Sequence, residues 1–375
     1  MTSSRGLRWI KQAALATVAV VIASEATTTD AAARSDYDVC RIAAFMARNP
    51  DRPADLTLIS AHRGLWKDVP ENTLQAAQAA LDLDIETVEF DVRLTKDLQP
   101  VLMHDWALDR TTTASGFVSE QALTTIQSQF RRDREGKPTT IHVPSLSDAL
   151  QQLADYNRPH GACQRGYLLV LDVKDKHDAR AVTSYEAARR SWETMREYQN
   201  RRRPQINLAQ AVVMKVLAGE LPLHPEQVAR DFPPIDGQSV RLLPILYSTT
   251  RDGDAIFQRY ARTPEIVTFE VVLPYPGLEH STEWDAQLKA DGRLRTGFAP
   301  WNDYPEGTSR GTGACCNLRT PGLTVDSPNY TGNWEYLAAR GMQMMTSDRS
   351  DVLDAYLRLL GRRNLSHIAV QEPAR

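Results

Sequence analysis

The sequence predicts an α/β fold, a single (β/α)8 TIM barrel with an extended loop after its seventh strand. Three observations carry this expectation. From about residue 56 short β-branched or apolar runs alternate with segments of helical character; eight such runs can be counted; and neither a Pro/Gly/Ser-rich linker nor an internal repeat divides the 375 residues.

The chain opens with a different kind of segment. Arg5, Arg8 and Lys11 precede an apolar run from Ala13 to Ala23, which is short for a membrane span and is followed by small residues at Ser24, Ala26, Ala31 and Ala33. Residues 1–33 therefore read as a signal peptide and leader, so the mature protein is expected to be secreted or periplasmic after cleavage. Residues 34–55 form an N-terminal extension, 56–362 the barrel domain and 363–375 a C-terminal tail.

The expected barrel strands are Leu56–Ala61, Thr87–Val92, Tyr167–Val173, Ala211–Val216, Leu242–Tyr247, Ile266–Leu273, Arg295–Ala299 and Met342–Thr346. A short run, Pro100–Met103, is expected to extend the second strand region. Helices are expected at Thr73–Leu83, Ser145–Ala154, His177–Tyr198, Pro225–Asp231, Asp252–Ala261, Asn333–Ala339 and Val352–Leu360. Capping residues support several of them: Ser145 and Ser147 precede an apolar-periodic stretch, and Ser350 with Asp351 opens the last helix. Arg131–Pro144 and Arg201–Gln205 read as solvated surface segments. The stretch Pro300–Asn333, rich in Gly, Thr, Asn and Pro, reads as a long loop on the rim where strand C-termini gather.

Charge and cysteine content narrow the function classes. With 44 Lys+Arg against 47 Asp+Glu the formal charge is −3, which excludes a strongly basic nucleic-acid binder and an acidic disordered chain. Cys40, Cys163, Cys315 and Cys316 are too few for a disulfide scaffold and lack zinc-site spacing. In an oxidising compartment Cys40 and Cys163 can each pair with one member of the adjacent couple, and the sequence alone does not fix the connectivity. Of the three possible pairings, a vicinal Cys315–Cys316 bridge is the least favourable sterically.

Chemistry concentrates at strand ends. His62-Arg63-Gly64 follows the first strand, Glu71-Asn72-Thr73 opens the first helix, Glu89-Phe90-Asp91 ends the second strand and His104-Asp105 follows the short extension. Glu89 and Asp91, two apart on a strand, share a side and can reach one cation, and hard oxygen ligands of this kind suit Mg²⁺ or Ca²⁺. Asp172 and Lys174 repeat the spacing on the third strand. A divalent ion with Arg63 and Lys174 would neutralise a phosphate while two histidines move protons, the requirements for cleaving a phosphodiester. Lys215, Glu270 and Trp301 lie at or near other strand ends; an aromatic face at Trp301 would pack against a glycerol or lipid backbone.

Taken together, Ala61-His62-Arg63-Gly64, Pro70-Glu71-Asn72-Thr73, Val88-Glu89-Phe90-Asp91-Val92, Thr95-Lys96-Asp97, Pro100-Val101-Leu102-Met103-His104-Asp105 and Leu108-Asp109-Arg110-Thr111-Thr112 resemble the glycerophosphodiester phosphodiesterase family, whose members are phosphatidylinositol-phospholipase-C-like TIM-barrel enzymes. Weaker echoes follow in order at Val143–Leu146, Leu171–Lys174 and Thr346–Arg349. The resemblance implies His62 and His104 as the acid/base pair, His62 as base. It implies Glu89, Asp91 and Asp172 as metal ligands with Glu71 in or beside that shell, and Arg63 and Lys174 on the phosphate. It further implies hydrolysis of glycerophosphodiesters, or of small-molecule or lipid phosphodiesters more broadly, with transient membrane-surface contact for lipid. Many members carry Glu where Asp172 stands; Asp there looks like the sphingomyelinase D group, so a phospholipase D-like activity on sphingolipid or lysolipid is the alternative, and a non-catalytic phosphate-binding barrel a third reading.

Overall fold

A computed structural model of the chain describes residues 36–174, 182–272, 279–298, 334 and 337–371, the side chains of 279–282 aside. Its strands run, in chain order, β1 (Leu58–Ala61), β2 (Thr87–Leu94), β3 (Pro100–Leu102), a hairpin of β4 (Phe130–Arg132) and β5 (Pro138–His142), and a second of β6 (Arg158–His160) and β7 (Cys163–Arg165). They continue with β8 (Leu168–Val173), β9 (Val212–Leu217), β10 (Leu242–Leu246), β11 (Glu270–Val271), β12 (Thr296–Phe298) and β13 (Met344–Ser347). Eight of these are parallel and lie in the order β11-β10-β9-β8-β2-β1-β13-β12. The two ends approach each other where the Thr268 hydroxyl donates to the Leu294 carbonyl at 2.6 Å. The result is a nearly closed eight-stranded parallel barrel with helices around it, as the sequence predicts.

Period-2 alternation explains why strands of such mixed composition are buried throughout. On β2, Val88, Phe90, Val92 and Leu94 face the helical layer and join the large apolar core there, which leaves Glu89 and Asp91 on the opposite side, inside the barrel. On β8, Leu169, Leu171 and Val173 face outward, while Leu168 and Val170 join the interior core and Asp172 follows them on the same side. The interior thus changes along its axis. Its lower part is apolar, filled by Leu58, Leu168, Val170, Val213, Leu243, Leu294 and Met344. Its upper part, two residues further along several strands, carries His62, Asp172, Lys215 and Asp348.

The lower end is sealed by the segment before the barrel. Helix α1 (Val39–Met46), capped by Asp38, packs Ile42, Phe45 and Met46 against the interior apolar residues. Residues beyond 362 close over the same end: Ile368 belongs to this cluster, Asp38 N–H donates to its carbonyl at 2.9 Å, and buried Arg363 pairs with Glu86 at 2.9 Å.

One open pairing is settled and three expectations need correction. Cys40 and Cys163 pair with each other, Cα to Cα 6.0 Å, fastening α1 to β7, so neither is available to Cys315 or Cys316, which lie outside the described residues. Pro100–Leu102 does not extend β2 but returns antiparallel alongside it, Val92 opposite Leu102. Arg131–Pro144 is not merely a solvated segment: it contains the β4/β5 hairpin, and Arg131 is fully buried, its guanidinium donating to the carbonyls of Leu102 and Asn72 and to Thr111 Oγ1. The expected sixth strand contracts to Glu270–Val271. The long loop after the seventh strand, with Trp301, lies outside the described residues.

Candidate active site

The turn from β1 to helix α2 (Leu74–Leu81) delivers three of the candidate residues, His62, Arg63 and Glu71. Arg63 and Asn72 both take left-handed backbone angles, φ 57° and 54°, and a hydrogen bond of 3.0 Å from Asn72 N–H to the Arg63 carbonyl closes the loop between them. Such angles cost energy for residues with a Cβ and persist where surrounding contacts hold them. Here Asn72 donates from Nδ2 to Asp91 Oδ2 and accepts from Asp91 N–H, each at 2.9 Å, so it clamps the acidic strand end instead of capping the helix. The cap is Thr73, whose hydroxyl accepts from Ala76 N–H.

His62 and His104 are placed alike. His62 Nδ1 lies 2.5 Å from Asp348 Oδ1, which also accepts from Trp66 Nε1 at 3.0 Å. His104 Nδ1 lies 2.7 Å from Asp105 Oδ1. With Nδ1 taken by a carboxylate, Nε2 is the nitrogen left for chemistry on each ring. Burial acts to lower the His62 pKa, but Asp348 and Glu89 outweigh it and the net shift is upward. For His104 burial and Arg63 prevail, and its pKa falls.

Between them stand the carboxylates. One donor atom from each of His62, Glu89 and Asp91 lies within 4.8 Å of the others. Glu89 accepts the Arg63 N–H on Oε2 at 2.9 Å, whereas its Oε1 is buried without a hydrogen bond. Burial and the neighbouring Asp91 push Glu89 up to about 7. Asp91, despite burial, is held well below the usual carboxylate range by Lys174 and by the cationic groups around it. Asp91 and Asp172 sit opposite each other on β2 and β8, and Lys174 Nζ bridges them at 3.1 and 2.5 Å.

Arg63 spans from Glu71 Oε1 at 2.9 Å to Asp91 Oδ2 at 3.1 Å. Glu71 has both oxygens on guanidinium groups, because Arg110 Nη1 and Nη2 reach Oε2 and Oε1 at 2.8 Å each. Lys215 and Glu270 form a buried pair at 2.8 Å on the barrel wall.

Of the predicted residues, His62, Arg63, Glu71, Glu89, Asp91, His104, Asp172 and Lys174 meet at one end of the barrel, linked by the contacts above. Asp348, Asp105, Arg110, Asn72 and Trp66 complete the arrangement without having been singled out for it. Asp348 carries a readable signal: it continues the inward alternation of Met344 and Thr346 on β13.

The chain is similar to known proteins in sequence and in fold. Residues 62–210 match the model of the glycerophosphoryl diester phosphodiesterase family. An uncharacterised protein of Sinorhizobium fredii, y4eD, is 30% identical over 361 residues, covering 89% of this chain and 92% of that one. The glycerophosphodiester phosphodiesterase of Caldanaerobacter subterraneus is 39% identical over 100 residues, 26% of this chain and 41% of its own. A crystal structure of a glycerophosphoryl diester phosphodiesterase from Parabacteroides distasonis superposes with a TM-score of 0.58 at 18% identity, covering 90% of this chain and 96% of that one. The barrel, the order of its polar strand ends and these similarities agree: the chain belongs to the glycerophosphoryl diester phosphodiesterase family.

Proposed function

We propose that the protein is an exported, metal-dependent phosphodiesterase that hydrolyses glycerophosphodiesters to an alcohol and glycerol 3-phosphate. The observation that carries this reading is the pair of histidines, each fixed through Nδ1 by a carboxylate, on either side of an acidic strand end that also holds two cations.

The residues fit a hard divalent cation, Mg²⁺ or Ca²⁺. Glu89 Oε1 is buried and lacks a hydrogen bond, and the nearest donors are mostly carboxylate oxygens. Glu89, Asp91 and Asp172 would hold it; Glu71, whose oxygens both face arginines, is assigned to positioning Arg63 instead. Such an ion, when bound, offsets phosphate charge and makes phosphorus more electrophilic.

The chain's own groups account for the remaining steps. Arg63 and Lys174 present N–H donors to the phosphate oxygens, where charge grows in the transition state. His62, made more basic by Asp348, takes the proton from the nucleophile, either water or the substrate's adjacent glycerol hydroxyl. His104, made more acidic by burial and by Arg63, gives a proton to the departing alcohol. Attack by the glycerol hydroxyl would gain from proximity and leave a cyclic phosphate for water to open. The leader at 1–33 and the Cys40–Cys163 disulfide both support export, since such bonds persist in oxidising compartments.

Exposed Trp106 and Phe117 favour one alternative, action on lysolipid or sphingolipid at a membrane surface. Trp106 is 45% exposed two residues beyond His104, and Phe117 bridges to its neighbour Ala107. Phosphorus NMR of products from glycerophosphocholine, lysophosphatidylcholine and sphingomyelin decides between them. Glycerol 3-phosphate is expected from the first, lost with a chelator and reduced by about 10²–10⁴-fold in His62→Ala or His104→Ala. Turnover that survives both chelation and His62→Ala would sink the mechanism; turnover of the lipids alone would keep it and replace the substrate.

A further inference from the structure

Arg110 touches neither histidine, yet it joins the two halves of the site. Its Nε donates to Asp105 Oδ2 at 2.6 Å and its Nη2 to Asp105 Oδ1 at 2.9 Å. On its other edge Nη1 and Nη2 donate to Glu71 Oε2 and Oε1, both at 2.8 Å. Asp105 is the carboxylate that holds His104, and Glu71 is the one that holds Arg63. A continuous chain of alternating charge therefore runs His104, Asp105, Arg110, Glu71, Arg63, with every contact 2.9 Å or shorter.

We infer that Arg110 is a positioning residue for catalysis, acting through Asp105 on the ring of His104 and through Glu71 on the guanidinium of Arg63. The inference rests on the phosphodiesterase reading and names a residue outside the set that touches substrate. The chemistry explains why arginine stands here. A planar fork with several fixed N–H groups grips two carboxylates at once and sets the angle between them, which a single ammonium on a flexible stem does not. The location is almost sealed, the Arg110 side chain being 16% exposed and that of Glu71 5%, so its removal leaves two poorly hydrated carboxylates competing for His104 and Arg63. Asp105 is then free to turn from the ring, and Glu71 to pull Arg63 toward itself and away from Asp91.

A mere structural ion pair and a positioning residue predict different results. With glycerophosphocholine as substrate, Arg110→Ala is expected to lower kcat/KM by about 10²-fold, the scale of a 1 Å misplacement of reacting groups. Arg110→Lys, which keeps the charge and protects folding, is expected to recover only part of that loss. Added guanidinium should restore activity to Arg110→Ala. The double variant Arg110→Ala with Asp105→Asn should be little worse than the more damaged single variant, because both act through one chain of contacts. A second readout needs no turnover: the Nδ1 proton of His104, assigned by its disappearance in His104→Gln, should move or broaden in Arg110→Lys. An unaltered Nδ1 proton in Arg110→Lys, or losses that multiply in the double variant, would overturn the proposal. A wild-type protein without activity on glycerophosphodiesters would refute the substrate reading, while the proton signal would still decide the role of Arg110.

Discussion

Asp105 carries its charge between His104 at 2.7 Å and Arg110 at 2.6 Å, and although burial opposes ionisation these partners pull its pKa down from 3.8 to about 2. A carboxyl depressed in the folded state stabilises it fully above the unfolded value and loses that contribution as pH falls through the folded one. The acid limb of unfolding should therefore contain about 2 kcal/mol from Asp105, released between roughly pH 4 and pH 2. Denaturant titrations of Asp105→Asn across that interval should show a correspondingly shallower decline, and curves parallel to wild type would contradict the assignment. At this scale the sequence was informative about residue types and poor about partners. His62, Glu89, Asp91 and His104 stand in short motifs whose spacing points to chemistry. The partner that orients His62 lies 286 positions downstream, beyond the reach of any local pattern. Asp105 and Arg110 lie close in sequence, yet a loop geometry, not a periodicity, turns them toward each other.

The elements were largely legible, since their signals are periodic. All eight parallel strands stand where alternating apolar runs predicted them, with shifts at their ends. What escaped was set by tertiary contact: α1 is short and becomes stable against the barrel floor, and the β4/β5 hairpin is polar on its surface while Arg131 anchors it from within. The β1–α2 turn is the element on which most of the site depends. Gly64 takes φ +77°, and a Cβ there would stand 2.5 Å from the Ala76 backbone carbon in the first turns of α2. Both the left-handed angle and the collision oppose a side chain, so Gly64→Ala should destabilise by about 3 kcal/mol and displace Arg63 beside it. Thermal unfolding and metal-binding calorimetry would register the two effects separately; an unchanged melting temperature would show that α2 can retreat.

For the whole molecule the Cys40–Cys163 bridge spans 123 positions and ties α1, on the barrel floor, to a hairpin that leads into β8. Closing so long a loop restricts the unfolded chain, and replacing both cysteines by serine should cost about 2–4 kcal/mol. Urea unfolding of that double variant, beside wild type with and without reductant, measures it; a loss under about 1 kcal/mol would mean that packing alone seats α1. The eight strands of the wall were foreseeable from sequence, but the sealing of its floor by the segments around α1 and Arg363–Ile368 was not, because each is too short and irregular to announce a partner.

The pairing of β1 with β13 sets an order of events during synthesis. Leu58–Ala61 emerge from the ribosome well before their neighbours Met344–Ser347, and His62 emerges 286 positions before the Asp348 that fixes it. No nascent chain short of that point possesses a closed wall or an oriented first histidine. Wall closure and the orientation of His62 are therefore late and simultaneous events, both waiting on the strand that β1 pairs with.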